Sequence, residues 1–77
     1  MKPEPSDEFF ERIAERLKAL ADPTRLKILH AVEDRELCVS DILAVVGGSQ
    51  ANVSKHLSKM RASGVLASRR EGTSIFY

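Results

Sequence analysis

VSDILAVVGGSQANVSKHLSKMRASG, residues 39–64, is the stretch whose reading decides how this chain folds. Ile42, Leu43, Val45 and Val46 give its first part the apolar side of a short helix. Gly47 and Gly48 then stop that helix, because glycine enters the left-handed region without a Cβ clash. Ser49 stands where an N-cap belongs, with a hydroxyl able to accept from the amide of residue 51 or 52. A second helix follows to about Ser63, with Val53, Leu57 and Met60 at i, i+4 and i+7 forming one apolar stripe. Gly64 closes it in the C′ position. Two helices joined by a glycine turn predict a helix-turn-helix, whose second helix enters the major groove of DNA.

At about 100° per residue, the side opposite that stripe holds Ala51, Asn52, Lys55, Ser58 and Lys59. Gln50 and Ser54 lie at its N-terminal flank, and His56 at its edge. Small side chains let a helix backbone approach a groove floor. Asn and Gln pair with the edge of adenine, and Lys with guanine or phosphate. The same wheel also describes a surface helix facing water in an ordinary helical bundle, so the wheel alone decides nothing. The next residues decide it. Val65 to Arg70, a Glu71-Gly72-Thr73 turn and Ser74 to Tyr77 form a hairpin pattern. A hairpin directly after a recognition helix is a wing, and Arg69 and Arg70 place cations beside the phosphate backbone.

The remaining sequence supplies support. A chain of 77 residues is one small domain, 1–77, with a marginal core for which oligomerisation is a common remedy. No apolar run exceeds five residues, which excludes a membrane span and a secretory leader. One cysteine cannot form an internal disulfide, and the chain reads as cytoplasmic. Residues 1–41 hold seven Lys/Arg against ten Asp/Glu, whereas 42–77 hold five against one, so the positive half is the half with the recognition helix and wing. Residues 1–5, with two prolines, are expected to be disordered. Ser6 caps a first helix, on which Phe9, Phe10, Ile13, Leu17 and Leu20 recur at helical spacing. This stripe is wide for the edge of a small domain. Phe9, Phe10, Ile13 and Leu17 are therefore read as a dimer interface, with plain intramolecular core as the alternative. Asp22-Pro23 starts a second helix to about Glu33, with Leu26, Ile28, Leu29 and Val32 as its apolar contacts. Glu36 to Val39 is a short extended piece, and Ser40 is expected to cap the third helix.

LADPTRLKIL (20–29), ELCVSDI (36–42), GGSQANVSKHLSKMRASGVL (47–66) and RREGTSIFY (69–77) together resemble the ArsR/SmtB family of bacterial winged-helix repressors. The fold expected is mainly α with a small β-hairpin: a winged helix-turn-helix of four helices followed by a two-stranded wing. The resemblance implies a homodimer that binds a palindromic operator in double-stranded DNA and is released by an inducer. Ser49, Gln50, Ser54 and His56 match the family's DNA-reading positions, with Lys55 and Ser58 alongside. The family usually continues past the wing into a C-terminal helix that packs with the first helix across the dimer. This sequence stops at Tyr77, so either it is part of a longer chain or dimerisation rests on the first helix.

Sensing is where the sequence departs from the family. Many members carry ELCVCDL, whose thiolates bind As(III), Pb(II) or Cd(II). Here Cys38 and Asp41 match, but Ser40 replaces the second cysteine, and residues 1–29 contain neither Cys nor His. A thiophilic metal ion needs about three or four ligands. A metal site of Cys38 and Asp41 is incomplete, and sensing through the Cys38 thiol or by another inducer is favoured over it. Two other classes stay open. An enzyme built on Cys38, such as a thiol peroxidase, lacks a resolving cysteine and a base constellation. A winged-helix protein-interaction module without DNA binding is opposed by the polar face and the basic wing.

Overall fold

Four helices and one hairpin follow one another in a computed structural model that describes residues 4–77. They are α1 (Asp7–Leu20), α2 (Pro23–Val32), α3 (Val39–Val46), α4 (Gln50–Ala62), β1 (Arg69–Glu71) and β2 (Ser74–Phe76). The expected disorder of residues 1–3 lies outside the described residues; Glu4 and Pro5 are exposed and irregular. No helix among the described residues is long and apolar enough to cross a membrane.

Three helix starts follow from short polar side chains that satisfy an otherwise unpaired amide. Ser6 Oγ accepts from the N–H of Phe9, Asp22 Oδ2 from that of Arg25, and Ser49 Oγ from that of Asn52, each at 3.1 Å. The start of α3 departs from expectation. Cys38 is its N-cap, without a side-chain cap bond, and Ser40 lies inside the first turn. Backbone pairing explains the shift. Leu37 N–H donates to the Tyr77 carbonyl at 3.0 Å, and Tyr77 N–H to the Leu37 carbonyl at 2.8 Å. Cys38 thereby bridges Phe76 in extended conformation, and the helix begins at the next residue.

The core joins α2, α3 and α4. Ile28, Ile42, Val53, Leu57 and Met60 are fully buried, with Ala31 and Leu37 completing the cluster. The predicted stripe of α4 is thus its core face. Two expected core residues are instead exposed: Leu26 at 52% and Val45 at 58%. Helical geometry gives the reason. On α3, Val39, Ile42, Leu43 and Val46 share one side, and Val45 lies about 60° beyond Ile42 in the opposite sense. On α2, Leu26 lies about 160° from Ile28, and Ala31 takes the core place.

The hairpin is antiparallel, with Arg69 opposite Phe76, Arg70 opposite Ile75 and Glu71 opposite Ser74. The reversal is therefore the two residues Gly72 and Thr73, with Gly72 at φ 61°, and Glu71 belongs to the strand. Val65 and Leu66, expected in the first strand, instead pack on the core, and Val65 N–H donates to the Met60 carbonyl at 3.1 Å. Burying those two apolar side chains under the end of α4 takes precedence over strand pairing.

The first helix stands apart. Ala19 is buried and Leu20 packs on the core, but Phe9, Phe10 and Leu17 are exposed at 49%, 55% and 63%. The radius of gyration is 14.5 Å, against about 11–12 Å for a compact chain of this length.

Two residues three apart on α3 test this packing. Ile42→Ala should lower the unfolding free energy by about 2–5 kcal/mol. Val45→Ala should change it by less than about 0.5 kcal/mol, as measured by urea denaturation.

Candidate nucleic-acid interface

The burial of Val53, Leu57 and Met60 leaves α4 only one way to turn, and it delivers the predicted polar face to solvent. Gln50, Ala51, Asn52, Lys55, Ser58 and Lys59 are all exposed, and Ser54 and His56 are half-buried at its margins. No acidic residue occurs on α4, whose cations are Lys55, Lys59 and Arg61. The helix begins with its amides at Ser49, where the partial positive charge of the macrodipole adds to theirs. Gly47 and Gly48 precede it with φ of 77° and 85°, and a Cβ built at either would meet nothing within 4 Å. The turn is therefore glycine for its backbone angles, and the entrance to α4 is sterically open.

The two wing arginines, read together from the sequence, are separated by the strand's alternation. Arg69 is exposed but paired within the protein. Its Nε donates to Glu36 Oε2 at 2.6 Å, its Nη1 donates to Glu71 Oε2 at 2.9 Å, and its guanidinium lies 4.8 Å from the Phe76 ring centroid. The hydrogen bonds to Glu71 and then Glu36 raise its pKa above the ordinary arginine value. Arg70 points to the other face of the hairpin and is exposed, with no hydrogen bond or ion pair among the described residues. The sequence signal that separates them is the acidic residue at 71, two positions from Arg69 and on its side of the strand.

His56 is likewise partly committed to the protein. Its Nδ1 accepts from Arg25 Nε at 3.0 Å, a contact between α4 and α2 that spacing along one helix does not reveal.

At the start of α3, Cys38 Sγ lies 3.1 Å from Asp41 Oδ2, to which it donates, and 3.2 Å from Ser40 Oγ. The residues matched to the family's sensing motif are therefore together. One thiol and one carboxylate do not fit a thiophilic metal ion, which takes about three or four ligands. Among the described residues, no group of three or more His, Cys, Asp or Glu side chains gathers in a way that could hold one.

With this geometry in hand, similarity to known proteins is informative. Residues 22–68 match the sequence pattern of the bacterial regulatory protein arsR family. The HTH-type transcriptional regulator KmtR of Mycobacterium tuberculosis is 40% identical over 65 residues, covering 84% of this chain and 50% of KmtR. The chain thus spans about half the length of this relative. The crystal structure of NolR from Sinorhizobium fredii superposes with a TM-score of 0.82 at 38% identity, covering all of this chain and 79% of that one. A homodimeric winged helix-turn-helix DNA-binding domain from Mycobacterium bovis, a possible ArsR-family regulator solved by NMR, superposes with a TM-score of 0.86 at 30% identity, covering 99% and 73%. The fold is a winged helix-turn-helix.

Removing the cap that starts the recognition helix tests the local argument. Ser49→Ala should cost about 1 kcal/mol of stability and speed hydrogen exchange at the amide of Asn52, the donor it orphans.

Proposed function

The chain belongs to the arsR family of bacterial regulatory proteins, and we propose that it acts as a homodimeric transcriptional repressor released from a palindromic operator by an inducing signal. The single observation that carries this reading is the outer face of α4, solvent-exposed, free of acidic residues and bearing Lys55 and Lys59. Lysines at phosphates supply affinity and its salt dependence. Gln50, Asn52, Ser54 and Lys55 read base edges, with Ala51 and Ser58 allowing close approach, and Ser49 offers its amide end to a phosphate. In the wing, Arg70 is the phosphate contact, and Arg69 braces the hairpin against Glu36.

Dimerisation through Phe9, Phe10, Ile13 and Leu17 is supported by the exposure of three of the four and by the elongated shape of the single chain. A two-fold dimer presents two recognition helices and two wings to successive turns of one side of the duplex, which is why the operator is palindromic. The chain works as a cytoplasmic binding protein and not as an enzyme. The inducing event acts at the start of α3, where Cys38 stands half-buried beside Asp41 and one turn before Ile42 of the core. Chemistry at the thiol, or another inducer, is favoured over metal binding by Cys38 and Asp41, because their donor set is short.

Fluorescence anisotropy on duplex from upstream of its own gene tests the reading, and selective, salt-dependent binding is expected. Gln50→Ala should cost about 1–3 kcal/mol and relax preference at one base position. Lys55→Ala should weaken binding by a salt-sensitive amount, reducing the salt slope by about one. Arg70→Ala should weaken binding more than Arg69→Ala. A salt slope near zero would leave a protein-interaction module instead. Sedimentation equilibrium should give twice the chain mass, and Phe10→Asp should return it to the monomer mass.

A further inference from the structure

Arg25 lies on α2, away from the outer face of α4, yet it ties three helices together. Its Nη1 donates to the Ala19 carbonyl at 3.2 Å, satisfying one of the open carbonyls at the end of α1. Its Nε donates to His56 Nδ1 on α4 at 3.0 Å. Its own N–H is held by Asp22, the cap of α2. Both Arg25 and His56 are half-buried.

A guanidinium is a donor only and stays charged, so the imidazole nitrogen it faces carries no proton. The one proton of neutral His56 therefore sits on Nε2. The two ring nitrogens have separate tasks. Nδ1 is held inward by Arg25, and Nε2–H is a donor with no partner among the described residues. His56 also follows Lys55 directly and precedes Lys59 by three residues, at the edge of the exposed face and beside α2. A fixed neutral donor at that rim matches an acceptor-only group. In helix-turn-helix docking the rim of the recognition helix runs along the phosphate backbone, while its centre meets the bases.

We propose that Arg25 is a positioning residue for DNA binding: it locks His56 in the Nε2–H form and aims that donor at a DNA phosphate oxygen. This deepens the DNA-binding reading above and rests on it. His56, matched by resemblance to the family's DNA-reading helix, is here a backbone contact whose state is set from α2.

Two measurements test it. Long-range 1H–15N correlation of the free chain at about pH 8, above the ordinary histidine range, should show His56 with its proton on Nε2. A proton on Nδ1 would overturn the proposal without any variant. Anisotropy on the labelled upstream duplex then separates the two nitrogens. His56→Asn keeps an acceptor near Nδ1 but has nothing at Nε2, and should bind about tenfold more weakly whatever the sequence. His56→Gln places an amide donor near Nε2 and should recover part of that loss. Arg25→Ala should weaken binding, and the Arg25→Ala/His56→Asn double variant should bind no more weakly than His56→Asn alone. Additive losses would mean that Arg25 acts on binding otherwise than through His56 and would overturn the proposal, as would wild-type affinity in His56→Asn. If the wild-type chain bound no duplex, the DNA-binding reading would fall and the phosphate contact with it, while the tautomer would still decide the Arg25–His56 link.

Discussion

Five side chains from three helices, Ile28, Ile42, Val53, Leu57 and Met60, are removed from water completely, and the direction of every candidate DNA contact on α4 depends on them. Three of the five belong to α4. Each contributes about 1.5–3 kcal/mol by leaving water, a large share of the net stability of a domain this small. A helix anchored at i, i+4 and i+7 cannot rotate without exposing one of its anchors. Gln50, Asn52, Lys55 and Lys59 are therefore held outward by apolar packing, not by contacts of their own. The proposed recognition chemistry thus sits on a helix fixed by the core, with its small and polar residues exposed.

The wing is held by a different kind of interaction. Its strands pair for only three residues each, too short to stand alone in water. Leu37 extends the pairing through Tyr77, and Arg69 links the hairpin to Glu36 of the same connecting segment. These bonds join the wing to the segment that starts α3, in which Cys38 is the cap. In the proposed mechanism a change at Cys38 would act on two DNA-contacting parts at once: on α4 through the packing of Ile42, and on the wing through the bridge to Phe76. Position in the fold, more than the chemistry of the thiol, makes this segment a suitable place for a signal to enter.

The first helix shows what the chain does not supply by itself. Its last turn is anchored by Ala19, Leu20 and the bond from Arg25, but Phe9, Phe10 and Leu17 remain exposed. Phe9 and Phe10 meet edge to face at 5.6 Å, which covers only part of two large rings. This stripe is the surface proposed for the dimer, and its helical spacing was visible in the sequence alone.

What the sequence determined by itself was whatever depends on neighbours within one turn of helix. The caps at Ser6, Asp22 and Ser49, the stop at Gly47 and Gly48, the stripe of α4 and the order of elements all follow from spacings of three or four residues. What the tertiary structure decided was whatever needs two distant segments to meet. Leu37 pairs with Tyr77 forty residues away and so moves the cap of α3 from Ser40 to Cys38. Glu36 claims Arg69, Arg25 claims one nitrogen of His56, and Val65 and Leu66 leave the strand for the core. The physical reason is common to all four. Periodicity states which side of an element is apolar, but not which group, polar or apolar, another element brings against it.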